Sequence, residues 1–143
     1  MLLLIASTFA CAANADGRFW FTPGAISYHS KRNADHNERN GGLGLEYVWP
    51  QHHALMIGGY NNSNRNRTYY LLYRYTPWNM GMVKLGGCVG VVTGYEDDED
   101  KPTPGAALVA TIEGKHVGGN LLATPRGGNA GGLVIAAQIK FRF

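Results

Sequence analysis

The hydrophobic and polar residues of this chain alternate along short segments, and a period of two residues is the pattern of a β-strand. The alternation is clearest at residues 133–143, LVIAAQIKFRF, where one face is wholly apolar and the other carries Gln138, Lys140 and Arg142. About eight such segments can be counted, at residues 24–31, 43–49, 53–61, 68–76, 82–95, 104–113, 116–124 and 133–143. The pattern therefore predicts an all-β chain.

The connections between these segments alternate between short and long. WPQH, TPWNMG and EGKH read as tight turns, whereas RNADHNERNGG, NNSNRNR, EDDEDKP and RGGNAGG are longer and polar. Short turns at one end, long loops at the other and an even number of strands are typical of an outer-membrane barrel. A soluble β-sandwich is the alternative, but the last strand, which ends in Phe143, resembles the final strand of bacterial outer-membrane barrels. We expect an eight-stranded antiparallel up-and-down outer-membrane β-barrel.

The first residues, MLLLIASTFACAANA, predict an export signal. An apolar run is followed by small residues, and Ala13-Asn14-Ala15 fits the A-x-A cleavage pattern of a secretory signal peptide. A short buried helix is the alternative. We expect residues 1–15 to be a signal peptide and residues 16–143 to be a single transmembrane β-barrel domain. Cleavage would remove Cys11 and leave Cys88 alone, so no disulfide framework is expected.

The alternation also predicts which side chains face lipid. The outward candidates are Leu43, Leu45, Tyr47, Trp49, Tyr69, Leu71, Tyr73, Tyr75, Val83, Leu85, Val89 and Val91. Four aromatic residues lie at strand ends near the short turns, which is where an interfacial aromatic girdle is expected: Tyr47, Trp49, Tyr75 and Trp78.

The inward face is predicted to carry charge near the short turns. The charged candidates there are Glu46, Arg74, Lys84, Glu113, Lys140 and Arg142. Because unpaired buried charges are costly, we expect Arg74 to pair with Glu46 or Glu113. Further up, the inward residues are small or apolar: Met56, Gly58, Gly86, Cys88, Gly90 and Val92. They leave either space for one acyl chain or a gap that neighbouring aromatic side chains fill.

The first long loop is dense in polar side chains, and the formal net charge of the chain is +3. Arg32 and Arg39 in this loop are candidates for binding the phosphates of lipopolysaccharide, because arginine forms bidentate charge-assisted hydrogen bonds with phosphate. A solvated loop without a specific partner is the alternative. The export signal argues against a nucleic acid as partner.

Several segments resemble the PagP-type family of lipid A palmitoyltransferases. Tyr28-His29 followed by ADHNERNGGLGLEY resembles that family's first-loop region, and NNSNR resembles its catalytic D-S-W-N segment. KPTPG, ATPRGGNAGG and IKFRF are similar to its later proline-bearing loops and its last strand. The resemblance implies an eight-stranded outer-membrane barrel that moves a palmitoyl chain from a phospholipid to lipid A. It also implies phospholipid as donor, lipid A as acceptor and a monomeric enzyme.

The same resemblance implies a set of site residues. His29 matches the family's catalytic histidine and Ser63 its serine, while Asn62 stands where the family has an acid. The substrate-binding candidates of the first loop are Arg32, Asp35, Asn37, Glu38 and Arg39, of which Asp35 or Glu38 is a candidate to replace the missing acid. No zinc pattern, phosphate-binding glycine loop or nucleotide fingerprint is present, so neither a metal nor a cofactor is expected.

Two functions remain open at this point. The first is a lipid A acyltransferase in which His29 and Ser63 are central. The second is a non-catalytic small barrel for surface shielding, adhesion or exclusion. Asn62 favours the second function, because an amide cannot supply the negative charge that stabilises an imidazolium.

Overall fold

The protein is a closed barrel of antiparallel strands. The computed structural model describes residues 17–30, 37–94, 101–125 and 132–143. Each strand pairs with its neighbours in sequence, and the first strand also pairs with the last. The strands are β1 (Arg18–His29), β2 (Arg39–Val48), β3 (His53–Asn61), β4 (Arg67–Met80), β5 (Val83–Val92), β6 (Thr103–Glu113), β7 (Val117–Pro125) and β8 (Leu133–Arg142). The predicted all-β, eight-stranded antiparallel barrel is confirmed. The predicted signal peptide lies outside the described residues.

Several strands are longer than the alternation predicted, β1 and β4 most of all. β1 begins at Arg18 instead of residue 24, and a register shift between Thr22 and Gly24 interrupts its pairing with β2. This shift changes the side-chain alternation in mid-strand, and so the segment before it did not read as part of the same strand. A bulge with this effect leaves only a weak signal in a sequence.

The predicted turn TPWNMG is wrong. β4 continues through this segment to Met80, and its register with β5 shifts between Tyr75 and Trp78. Pro77 lies within that shift, where its missing N–H costs the ladder least. The chain turns instead at Gly81 and Met82, and Gly81 has a φ of +70°, a conformation that glycine adopts without strain.

The outer surface of the barrel is apolar. The outward candidates of β4, Tyr69, Leu71, Tyr73 and Tyr75, are all exposed, as are Leu43, Leu45, Val89 and Val91. Tyr75 and Trp78 are exposed near the short turns, where the girdle was expected. Tyr47 differs, because its ring is buried beside Phe19 and Trp49, at centroid distances of 4.7 and 4.8 Å.

The floor of the barrel, near the short turns, holds a network of buried ion pairs. Arg74 lies 2.6 Å from a carboxylate oxygen of Glu46 and 3.0 Å from one of Glu113. Lys140 contacts the same two carboxylates at 2.7 and 2.9 Å, and Lys84 reaches Glu113 at 3.1 Å. The prediction that Arg74 points inward and pairs with an acid is confirmed. We call these five side chains the ionic floor.

Neutral polar groups complete the ionic floor. Asn120 donates to Glu46 at 2.9 Å and accepts from Arg74 at 3.3 Å. Thr111 donates to Asn120 at 2.7 Å. The ammonium group of Lys140 lies 4.9 Å from the ring centroid of Trp20, which is fully buried. The charges are thus both paired and hydrogen-bonded, which is the condition under which buried charges are tolerated.

Above the ionic floor, an aromatic side chain occupies the level of two inward glycines. A Cβ atom on Gly44 or Gly58 would overlap the hydroxyl of Tyr70, so the phenol fits there only because both positions lack a side chain. Met56 and Cys88 are also buried at the inner face. The sequence left open whether aromatic residues fill this region, and at the level of Gly44 and Gly58 one does.

The distribution of polar and apolar residues is inverted relative to a water-soluble domain. Charged residues are buried inside, while leucine, valine and tyrosine side chains are exposed outside. This inversion is consistent with a β-barrel membrane protein. Within the described residues, no helix has the length and apolar character needed to span a membrane.

Replacing Arg74 tests the ionic floor. We expect Arg74→Ala to lower the free energy of unfolding by about 3–5 kcal/mol, because it leaves two buried carboxylates with less compensating charge. Denaturant unfolding in lipid vesicles, followed by tryptophan fluorescence, measures the change. Arg18→Ala is the matched control, since Arg18 is exposed at the same end of the barrel. Equal losses in the two variants would contradict the role of the ionic floor.

Candidate functional site

A cluster of buried polar side chains lies at the loop end of the barrel, opposite the ionic floor. Its members are His29, Asn40, Asn62, Ser63 and Thr68, each no more than 9% exposed. We call these five residues the rim cluster. They come from the ends of β1, β2 and β4 and from the loop after β3, so strand closure is what brings them to one rim.

The first two loops are tied together by backbone and amide hydrogen bonds. The N–H of Asn37 donates to the carbonyl oxygen of Ser63 at 3.0 Å. The Asn37 amide donates to the carbonyl of Asn62 at 3.4 Å, and the Asn40 amide donates to that of Asn61 at 2.9 Å. The approach to β2 and the loop after β3 therefore form one connected unit.

Asn62 is the centre of this unit, and its side chain is fully engaged. Its amide nitrogen donates to Thr68 Oγ1 at 3.0 Å and to the carbonyl of Gly94 at 2.7 Å. Its side-chain oxygen accepts from the backbone N–H groups of Asn64 and Asn66, at 2.9 and 3.0 Å. Asparagine commonly organises turns in this way. Both donor hydrogens and the acceptor oxygen of Asn62 thus shape the loop.

His29 is the last residue of β1 and faces the interior. It is 4% exposed, whereas its neighbour Tyr28 is 48% exposed on the opposite face. His29 pairs with Val134 of β8. The next residue, Ser30, donates its N–H to the carbonyl of Leu133 and accepts from the Leu133 N–H through its side chain. The backbone that carries the imidazole is therefore held against β8.

The remaining predicted residues are distributed as follows. Asn37 is part of the loop connection, whereas Glu38 and Arg39 have exposed side chains. The carbonyl of Glu38 accepts from the Ser27 N–H at 2.9 Å, so this residue contributes through its backbone. Arg32 and Asp35 lie outside the described residues.

The rim cluster brings an imidazole and a hydroxyl to the same end of the barrel. His29 ends β1 and Ser63 follows β3, so two strand spacings, or roughly 10 Å, separate their strands laterally. Ser63 is nevertheless drawn toward β2 by its hydrogen bond with Asn37. An imidazole and a hydroxyl are the groups used in acyl transfer, and such groups are often separated before substrate binds. Among the described residues, no group of three or more His, Cys, Asp and Glu side chains could hold a metal.

Sequence reasoning missed the residues that hold the loops in place. Asn40 and Thr68 were not identified as site residues, and neither was the carbonyl of Gly94. One signal was available for the first two, because both are polar residues at inward positions of alternating strands. Gly94 offers only a backbone oxygen, which leaves no side-chain signal.

Comparison of the sequence with protein-family models and with curated proteins finds no match.

Replacing Asn62 with aspartate separates a structural role from a catalytic one. We expect Asn62→Asp to lower the free energy of unfolding by about 1–3 kcal/mol, because the carboxylate cannot donate to Thr68 or to the carbonyl of Gly94. Chemical denaturation and protease cleavage of the loop measure the effect. Asn61→Asp is the matched control, since Asn61 is the adjacent residue and is exposed. Wild-type stability in Asn62→Asp would contradict the structural role.

Proposed function

We propose that this protein is an outer-membrane acyltransferase that moves a fatty acyl chain, similar to palmitoyl, from a phospholipid to lipid A of lipopolysaccharide. The observation that carries the proposal is the rim cluster, which combines the buried imidazole of His29 with the buried Ser63. The opposite end of the interior is closed by ion pairs, so the interior is left for a substrate only at the loop end.

The reaction at the rim is an acyl transfer between two hydroxyl oxygens. A hydroxyl oxygen of lipid A attacks the ester carbonyl of the phospholipid and forms the new ester bond, and the glycerol oxygen leaves with the electrons of the old one. His29 is the general base that takes the proton from the attacking hydroxyl and returns it to the leaving oxygen. The hydroxyl of Ser63 is the group we assign to hydrogen bonding at the reacting oxygens.

A second candidate function is a non-catalytic surface barrel for shielding, adhesion or exclusion. Two observations favour it. The side chain of Asn62 is committed to four hydrogen bonds within its loop, which leaves no donor or acceptor of this amide to orient His29. Tyr70 occupies the interior at the level of Gly44 and Gly58, which reduces the room for an acyl chain inside the barrel.

The outer membrane is the location that we propose for either function. The apolar outer surface supports insertion into lipid, and the sequence has an export pattern at residues 1–15. The loop end would then face the lipopolysaccharide leaflet, with the short turns in the periplasm. The proposed form is a monomer, because the pairing of β1 with β8 closes the sheet on itself within one chain.

The location is tested by cell fractionation and gel mobility. We expect the protein to fractionate with the outer membrane and to migrate differently before and after heating, since a closed barrel resists unfolding by detergent. Deletion of Phe143 should reduce the assembled fraction, whereas deletion of the exposed turn residue Lys115 should have a smaller effect. Recovery as a soluble periplasmic protein would contradict the proposed location.

The chemistry is tested by a transfer assay in detergent, with labelled phospholipid as donor and lipid A as acceptor. We expect wild-type protein to produce acylated lipid A, and we expect His29→Ala and Ser63→Ala to reduce transfer by about 10²–10⁴-fold. His116→Ala is the matched control, because His116 is exposed in a short turn at the opposite end. Background-level transfer by the wild type and all variants would leave the non-catalytic barrel as the better function.

A further inference from the structure

A groove of about 280 Å³ lies on the outer surface of the barrel, across β2, β3 and β4 near their loop ends. Eight residues line it. Six lie at outward-facing positions, Gly41, Leu43, Gly59, Asn61, Arg67 and Tyr69, and the other two are Gly42 and Tyr60. Leu43 and Tyr69 are 65% and 57% exposed, which places the groove on the lipid-facing side. It is therefore separate from the rim cluster, whose side chains are buried.

Two glycines make the groove. A Cβ atom on Gly41 would meet no other atom within 4 Å, so the space in front of this residue is open. A Cβ atom on Gly59 would lie 3.0 Å from the Tyr69 ring, so this glycine lets the ring lie flat against the strand. Together with Leu43, they form an apolar channel on the outer surface of the barrel.

Two exposed arginines flank the loop end of the groove. Arg67 lines it directly, opposite Asn61 of β3. Arg39 starts β2 on the same outward face as Gly41 and pairs with Ile26, which is 68% exposed. β3 lies between the strands that carry Arg39 and Arg67, so the backbones of these two residues lie roughly 10 Å apart across the sheet. In the part of the chain that the structure describes, no carboxylate forms an ion pair with either side chain.

We infer that this groove binds one acyl chain of lipid A, with the two phosphates of the same molecule at Arg39 and Arg67. The apolar channel meets the hydrocarbon, and the guanidinium groups at its loop end meet the anionic head group. Arginine is the side chain best suited to bidentate contact with phosphate. The spacing of the two arginines favours a lipid with two separated phosphates over a phospholipid with one.

The bound lipid A is a resident lipid rather than a reactant. The groove opens on the outside of the barrel, whereas His29 faces the interior, so the chain held there is not presented to the imidazole. The inference depends on the outer-membrane orientation proposed above but not on acyl transfer. It holds equally for the catalytic and the non-catalytic barrel.

The test measures lipid retention by the folded full chain in zwitterionic detergent. Native mass spectrometry counts bound molecules after addition of bisphosphorylated lipid A, with phosphatidylglycerol as the competing anionic lipid. We expect wild-type protein to retain one lipid A. Gly41→Leu, which fills the groove, and Arg67→Gln, which removes a phosphate contact, should each weaken retention by about tenfold or more.

Two matched controls separate the groove from general surface effects. Ala137→Leu adds the same side chain at another exposed, outward position, and Arg18→Gln removes an exposed arginine at the opposite end of the barrel. Both should retain lipid A as the wild type does. Undiminished retention by Gly41→Leu, or displacement of lipid A by equal phosphatidylglycerol, would overturn the inference.

Retention is measured first with lipid A alone, before phosphatidylglycerol is added, so no acyl donor is present and the outcome is independent of the transfer reaction. Retention by a protein that shows no transfer would support the groove and contradict the enzyme. Transfer without retention would support the enzyme and contradict the groove.

Discussion

The ionic floor is the constraint on which the rest of the barrel depends. Its charges come from β2, β4, β5, β6 and β8, so no single hairpin can form it. A slip of one residue in any of these strands would turn its charge toward the apolar outer surface and an apolar side chain into the network. The network therefore penalises wrong registers, and that role is independent of how much it adds to stability.

The side chains that fill the floor of the barrel restrict where a functional site can lie. An eight-stranded barrel has an interior just wide enough for its own side chains. Here the lower part holds the ionic floor and Trp20, and Tyr70 occupies the level above. A ligand could therefore bind only at the loop end, where the rim cluster lies, or on the outer surface, where the groove lies.

Most of the fold could be predicted from the sequence. A period of two residues identifies a strand and also shows which of its side chains share a face. Alternation alone placed Arg74 inward with Glu46 and Glu113 as candidate partners, and Arg74 contacts both carboxylates. It failed where a bulge changes the alternation, as around Pro77, which ended β4 too early in the prediction. It also could not anticipate the groove, because Gly41 and Gly59 become neighbours only through strand pairing.

The candidate site was predictable in position but not in the role of each residue. Similarity of short segments placed His29, Asn62 and Ser63 at one end, and all three are buried there. The role of Asn62 depends on Gly94, which lies 32 residues further along the chain and contributes only a carbonyl oxygen. The carbonyl oxygen of Gly94 requires a hydrogen-bond donor. An amide can donate to it, whereas an ionised acid cannot. The amide at this position is thus explained by loop stability. In the proposed transfer reaction, any negative charge that supports His29 must then come from another residue of the loops or from the substrate itself.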